Sequence, residues 1–162
     1  MSGILTLEQL RQDAIKLFDG IELRDKYYLI NEVFSDSLRE DINIQIVNDE
    51  YFVFSTAQKN HGAPEKYIQG KYKTKDTNEV LHIIASYVIE SVCWSEIIDR
   101  YSDSDESITY DSSIEDFEVK FKKSIIEKLP EFCKQYFTEG YDVYNKMENF
   151  LDSNEYYEWM YK

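Results

Sequence analysis

The chain has 162 residues, of which 32 are Asp or Glu and 18 are Lys or Arg, so its formal net charge is −14. Hydrophobic residues make up 43% of it and aromatic residues 15%, which is too much apolar content for a disordered acidic tail. This length suits a single domain over residues 1–162, and the scarcity of bases excludes direct binding to nucleic-acid phosphates. No basic start with a long apolar stretch marks a signal peptide, and no apolar run reaches about 20 residues. We therefore expect a cytoplasmic protein that does not enter a membrane.

The first two elements are predicted to be helices. Thr6 and Gln9 match a capping box, in which the two side chains satisfy each other's backbone amides. Apolar residues from Leu7 onward recur at three- and four-residue spacing until Gly20, where this helix should end. Residues 21–40 show a weaker pattern of the same period, which predicts a second helix.

The period then changes from helical to alternating. Residues 42–47 place an isoleucine at every second position, as in a strand with one buried face. After a turn at 48–50, the segments 51–56 and 67–72 are rich in β-forming residues. The loop 58–64 separates them, because it contains Gly and Pro. These segments predict three short antiparallel strands.

The strongest helical pattern covers residues 77–101, which contain neither Gly nor Pro. Its apolar side chains trace one continuous face, so we expect this long helix to cover the sheet. The predicted face consists of Val80, Ile84, Tyr87, Val88, Ser91, Trp94, Ile98 and Tyr101, widened by Leu81 and Ile83.

Further helices are predicted after an acidic loop at residues 102–113. Ser113 and Asp116 have the spacing of a helix N-cap, Pro130 should restart that helix, and Gly140 should interrupt the last one. Strands in one block between helical blocks indicate an α+β fold. The expected architecture is a small three-stranded antiparallel sheet packed by a long central helix and by further C-terminal helices.

Sequence signatures of catalysis are missing, since the chain has no GxGxxG, Walker loop, HExxH, GxSxG or CxxC. His82, Ser86 and Glu90 share one face of the long helix, but this line lacks an oxyanion donor, and we interpret it as a solvated face. Cys93 and Cys133 lie in apolar helices, where a neutral buried thiol is expected. The sequence therefore predicts no enzyme, no cofactor and no metal.

An excess of acidic residues marks the first candidate binding surface. Residues 76–162 hold 20 acids and 8 bases, and residues 99–118 alone hold eight acids and one base. This segment lacks the glycine that an EF-hand calcium loop requires. Opposite charges speed encounter and fix orientation, so the segment favours binding to a basic protein surface. A device for solubility is the alternative reading.

An excess of aromatic residues marks the second candidate binding surface. Residues 132–161 hold ten aromatic side chains, with acids between them, and residues 155–161 should form a short helix or a docked tail. Tyr and Trp dominate binding hot spots, although a packed pair of aromatic helices would account for the same composition. The predicted partner-binding residues of both segments are Asp103, Asp105, Glu106, Tyr110, Asp111, Tyr156, Tyr157, Glu158 and Trp159.

The order of short motifs resembles that of a known family. Residues 74–81 read TKDTNEVL, and they are followed by Asp116-Phe117, by Phe121 and by LPEF at 129–132. Over approximately residues 42–151, this order is similar to that of bacterial polymorphic-toxin immunity proteins of immunity family sixty-three. The resemblance implies a non-catalytic protein that binds and neutralises one cognate toxin domain. Many such toxins are nucleases with basic active sites, which agrees with the charge of this chain.

Two other classes of function stay open from the sequence. An acidic protein could mimic phosphates and inhibit a host nuclease or defence complex, as the product of a phage or mobile element. An enzyme would require a cleft with convergent polar residues. A toxin gene beside this one would favour the immunity protein, whereas an operon of phage genes would favour the phosphate mimic.

Overall fold

Residues 4–35, 41–58, 66–101 and 112–149 are described by the computed structural model, and they form an α+β fold. The elements in chain order are α1 (Leu7–Leu17), α2 (Lys26–Val33), β1 (Asn43–Val47), β2 (Glu50–Gln58), β3 (Lys66–Thr74), α3 (Thr77–Tyr101), α4 (Ser112–Ile126), α5 (Glu131–Thr138), α6 (Val143–Lys146) and β4 (Glu148–Asn149). The predicted sheet, long helix and C-terminal helices are confirmed.

Helix α1 begins as its sequence predicts. The Thr6 hydroxyl accepts a hydrogen bond from the Gln9 amide at 3.1 Å, and the Gln9 side chain accepts one from the Thr6 amide at 3.0 Å. The helix ends before Gly20, whose φ of 78° suits glycine. The second predicted helix is also present, but as α2 it is shorter than the segment 21–40.

The sheet has the order β1-β2-β3-β4, and every neighbouring pair of strands is antiparallel. Asn48 and Asp49 join β1 to β2 with φ angles of 54° and 63°, as a two-residue hairpin turn requires. The two-residue strand β4, which was not predicted, pairs with β3 at Gly70. A Cβ atom at Gly70 would lie 3.2 Å from the Cβ of Met147, so the close approach favours glycine.

Helix α3 has the predicted limits and contacts α1, α2, α4, α5 and β3. Because other elements surround the N-terminal part of α3, most side chains from Glu79 to Val92 are buried, whereas the sequence predicts one buried face. The predicted face is correct at Val80, Leu81, Ile83, Ile84, Tyr87 and Val88, all of which are buried.

The predicted face of α3 is wrong in its C-terminal part. Trp94 is 52% exposed, and Ile98 and Tyr101 are each 39% exposed. Cys93 and Ile97 are buried there instead, in a small cluster with an isoleucine of α4. Helix α4 packs on this end of α3 mainly through Cys93 and Ile97, and the half-exposed Tyr101 ring lies 6.0 Å from the Phe117 ring of α4.

The C-terminal helices follow the predicted breaks with one correction. Helix α4 begins at Ser112, so Ser113 already lies inside the helix and the predicted N-cap is wrong. Pro130 directly precedes α5, where its fixed φ fits a helix start. Gly140 has a φ of 71° and separates α5 from α6, as predicted.

Candidate functional site

The partner-binding residues predicted from the sequence lie outside the described residues. Segment 102–111 holds Asp103, Asp105, Glu106, Tyr110 and Asp111, and the C-terminal end holds Tyr156, Tyr157, Glu158 and Trp159. The described flanks of the acidic segment are Tyr101, which ends α3, and Ser112, which begins α4. The binding role of these nine residues stays a prediction.

A groove of about 560 Å³ runs along one face of α3. The start of β1 and the turn between α5 and α6 form its other walls. We call it the α3 groove, and its lining residues are Asp41, Ile42, His82, Ile83, Ser86, Tyr87, Glu90, Ser91, Trp94, Tyr141, Asp142 and Val143. Its size lies within the range of about 300–1,000 Å³ that is typical of ligand sites.

The charges of the α3 groove are all of one sign among the described residues. Asp41, Glu90 and Asp142 line it, and none of its described lining residues is Lys or Arg. The Nζ of Lys122, outside the groove, lies 2.6 Å from Glu90 and 2.7 Å from Glu118. This lysine is therefore shared between two carboxylates. The charged residues among the described lining of the groove are thus all acidic.

Aromatic rings form much of the groove's wall. Trp94 stands one helical turn beyond Glu90 and is half exposed, whereas Tyr87 is buried and Tyr141 is partly buried. A large aromatic side chain that stays exposed beside carboxylates offers contact area for a ligand. The sequence places Trp94 on the helix, but its exposure comes from the packing of α4 on the neighbouring face.

His82 is almost completely buried, with 1% of its surface exposed, so the prediction of a solvated face is wrong at this residue. The rings of Tyr136, Phe137 and Tyr141 surround it, with centroids 5.0, 4.3 and 5.0 Å from the imidazole centroid. Helix α5 brings the first two of these rings over α3. Periodicity along α3 cannot reveal this cover, because it comes from residues more than 50 positions away.

The imidazole of His82 is neutral and has one unused acceptor. Burial lowers its pKa from 6.5 to about 4, against the opposing effects of a hydrogen bond to the Cys133 backbone and of the Glu79 charge. Nδ1 is buried without a hydrogen-bond partner, so Nε2 is the nitrogen that donates to Cys133. Ser86 also lines the groove, but since Nδ1 has no partner, it does not accept a hydrogen bond from the Ser86 hydroxyl.

A second polar group lies beside the groove, and we call it the Glu79 cluster: Tyr72, Glu79, Tyr141 and Lys146. The Glu79 carboxylate is buried and accepts hydrogen bonds from Tyr72 at 3.0 Å, Tyr141 at 2.9 Å and Lys146 at 3.3 Å. Burial acts to raise the pKa of Glu79, but the hydrogen bonds from Thr74, Tyr141, Tyr72 and Lys146 outweigh it and lower that pKa. Burial, with the bond to Glu79, raises the pKa of Tyr141.

The two cysteines are free and buried, as predicted. Burial raises the pKa of the Cys93 thiol to about 11 and that of Cys133 to about 12. Both thiols are therefore protonated near neutral pH, and neither has the lowered pKa of a nucleophilic cysteine. Within the described ranges, no group of three or more His, Cys, Asp or Glu residues is arranged to hold a metal ion.

Helix α3 is long and apolar enough to cross a bilayer by length and composition. In the fold, 61% of its most apolar 18-residue stretch is buried. The core helix of a soluble protein meets the same criteria of length and composition. This burial agrees with a soluble protein.

Comparison with known protein families, with curated proteins and with solved structures found no match to this chain. The resemblance to immunity proteins therefore stays a prediction.

Proposed function

We propose that the chain is an immunity protein, which binds a cognate toxin domain in the cytoplasm and neutralises it by stoichiometric occlusion. The toxin surface that it covers is basic, as in a nuclease that binds phosphates. The protein acts without turnover and without a cofactor. Its interaction surface is acidic and aromatic, and it combines the α3 groove with the predicted acidic segment and C-terminal tail.

The observation that carries this proposal is the α3 groove. It joins three carboxylates to an exposed tryptophan, and no base occurs among its described lining residues. Complementary charge accelerates association and excludes partners of the wrong charge. Exposed Trp and Tyr supply the buried anchors on which affinity depends. This combination is what a binder of basic protein surfaces requires.

The polar groups of the groove support binding more than catalysis. His82, Ser86 and Glu90 converge on one cleft, which is the arrangement that an enzyme would need. However, the imidazole donates its only N–H in a hydrogen bond to the Cys133 carbonyl. Its Nδ1 has no hydrogen-bond partner that it could activate as a base. The Glu90 carboxylate forms an ion pair with Lys122, whose Nζ lies 2.6 Å from Oε1. A nucleophile, a base and an orienting acid are therefore not connected.

The test is co-expression with the toxin domain encoded beside this gene. We expect the toxin domain alone to stop growth and this protein to restore it. With purified components, titration of the toxin's activity should end near a simple whole-number ratio of the two proteins. Failure to restore growth would overturn the immunity function, and full inhibition at a small fraction of one equivalent would overturn occlusion.

A pair of matched variants connects the same assay to the groove. Trp94→Ala should speed dissociation of the toxin and weaken binding by about 2 kcal/mol, because an interface anchor is removed. Tyr28→Ala is the control, since Tyr28 is 64% exposed on α2 and does not line the groove. Equal dissociation rates for the two variants would remove the groove from the interface.

Inhibition of a host nuclease, with no toxin gene nearby, would instead favour the phosphate mimic. The expected negative surface is the same in that case, so the identity of the inhibited enzyme decides between the two functions.

A further inference from the structure

We infer that the α3 groove receives a tyrosine side chain of the protein partner, whose hydroxyl donates a hydrogen bond to Nδ1 of His82. The inference rests on the proposed function in one respect, which is that a protein partner covers the groove. It adds the side chain that the groove recognises and the atom that recognises it.

A buried acceptor without a partner is the observation that points to this occupant. His82 is 1% exposed and lines the groove, yet its Nδ1 has no hydrogen-bond partner. The other ring nitrogen donates to the Cys133 backbone, which leaves Nδ1 as the acceptor of the neutral imidazole. Buried polar atoms are almost always paired in folded proteins. A donor that enters the groove therefore gains a hydrogen bond that Nδ1 does not make within the described chain.

The surroundings of the acceptor determine what kind of donor can reach it. His82 is the first residue of α3 in the described groove lining, which also includes the apolar side chains of Ile83, Tyr87 and Val143. A hydroxyl on Cβ, as in serine, stays too close to its own backbone to reach a buried atom. The imidazole is uncharged, so a neutral donor satisfies it without bringing a charge among aromatic rings. A long, neutral and mostly apolar side chain with a terminal donor meets these conditions.

A phenol fits this place better than an indole, because Ser86 lies beside the acceptor. Ser86 follows His82 by four positions, so the two side chains are neighbours on one face of α3, and both line the groove. A phenolic oxygen both donates and accepts, whereas an indole N–H only donates. The phenol can therefore donate to Nδ1 and accept from the Ser86 hydroxyl, which rotates to suit its partner. The pair selects tyrosine over tryptophan.

Tyr141 lies between the open groove and the acceptor. Among the described rings that contact the imidazole, Tyr141 alone also lines the groove, and its centroid is 5.0 Å from that of His82. Entry of the phenol requires this ring to move against its 2.9 Å hydrogen bond to Glu79. An isolated tyrosine side chain should therefore bind weakly, and the rest of the partner supplies the remaining affinity.

The experiment measures binding of N-acetyl-tyrosine methylamide to the purified full chain by NMR. N-acetyl-phenylalanine methylamide is the matched probe, which lacks only the hydroxyl. We expect saturable shifts for the tyrosine probe, with a dissociation constant on the order of 1 mM. The phenylalanine probe should bind at least about fivefold more weakly, since it offers no donor to Nδ1. The Nδ1 signal of His82 should move upfield with the tyrosine probe and stay in place with the phenylalanine probe.

Two variants connect this preference to the acceptor. His82→Phe keeps a ring in place and removes Nδ1, so the ratio of the two dissociation constants should fall to about one. Ser91→Ala is the control, because Ser91 also lines the groove but lies nine positions from His82. It should change the ratio by less than about twofold. Because each ratio is measured within one variant, a general loss of stability does not imitate the loss of the acceptor.

Four results would overturn the inference: a ratio near one in the native chain, an unchanged ratio in His82→Phe, an unmoved Nδ1 signal, or no saturable shift at about ten times the expected constant. An Nδ1 signal that already has the position of a hydrogen-bonded nitrogen in the free protein would overturn it too, because water would then satisfy the acceptor.

The measurement uses no toxin, so it is independent of the growth assay. Protection from a toxin without tyrosine binding would leave the proposed function intact and remove the tyrosine site. Tyrosine binding without protection would do the reverse.

Discussion

The Glu79 cluster and the α3 groove lie side by side on helix α3, and both consist of acids and aromatic rings. In the cluster, one buried carboxylate accepts hydrogen bonds from two tyrosines and a lysine of the same chain. In the groove, three carboxylates and an exposed tryptophan line open space. The same residue types thus form a buried hydrogen-bonded group in the first region and line a groove in the second.

Distant elements of the fold bring several donors to the Glu79 carboxylate. Strand β3 supplies Tyr72 to Glu79, and the segment after α5 supplies Tyr141 and Lys146. Tyr141 belongs to both regions, since its hydroxyl faces Glu79 and its side chain also lines the groove. An acidic sequence therefore does not by itself show which carboxylates stabilise the fold, and mutation of individual acids tests the difference.

The largest effect on stability should come from Glu79. Glu79→Ala leaves two tyrosine hydroxyls and the Lys146 ammonium without their acceptor, so the free energy of unfolding should fall by about 3 kcal/mol. Glu90→Ala is the matched control, because Glu90 is an exposed member of one surface ion pair. It should cost less than about 1 kcal/mol. Urea unfolding at pH 7 measures both, and similar losses would show that the two regions do not differ.

A smaller effect is expected from pH, through His82. Its pKa is about 4 when folded and 6.5 in a free side chain, so the unfolded chain binds the proton first as pH falls. The stabilisation is present above pH 6.5 and is lost as pH falls toward 4, amounting to about 2 kcal/mol between pH 7 and pH 5. The lowered pKa of Glu79 puts the loss of its own contribution at a lower pH than this window.

Urea unfolding at these two pH values tests that effect with histidine variants. His82→Phe keeps an aromatic ring in the pocket and should remove most of the pH dependence. His61→Asn alters the only other histidine in the sequence and should keep the dependence of the native protein. A native dependence in His82→Phe would contradict the burial of a neutral imidazole.

The smallest expected effect tests the residue that the two regions share. Tyr141→Phe keeps the ring against His82 and removes the 2.9 Å hydrogen bond to Glu79, which should cost about 1 kcal/mol of stability. Tyr136→Phe is the control, because its hydroxyl donates at 3.2 Å to Asp76 at an exposed position. It should cost no more than about 0.5 kcal/mol. If Tyr136→Phe lost as much stability as Tyr141→Phe or more, the Tyr141 hydrogen bond would have no special role in stability.

Much of the fold could be predicted because its signals are local. The capping box at Thr6, the alternation that begins at residue 42 and the break at Pro130 each depend on neighbouring residues. The limits of α3 were predicted correctly, since no Gly or Pro interrupts residues 77–101. The short strand β4 was missed, because two residues carry no periodic signal and their pairing depends on a distant strand.

The α3 groove could be predicted only in part. His82, Ser86 and Glu90 were placed on one helix face, and that face does line the groove. The burial of His82 was missed, since its cover comes from Tyr136 and Phe137 on α5. Asp41 and Asp142 are 101 positions apart, so no spacing in the sequence joins them to Glu90.

Composition and local periodicity are enough to establish the acidic charge, the aromatic content, the type of most elements and the limits of the long helix. The tertiary fold establishes which acid is buried with distant hydrogen-bond donors and which acids line the groove. Both depend on residues far apart in the chain, as the hydrogen bond from Tyr141 to Glu79 and the common groove lining of Glu90 and Asp142 illustrate. Helical periodicity determines which residues share a face, whereas the neighbouring elements determine whether that face is covered.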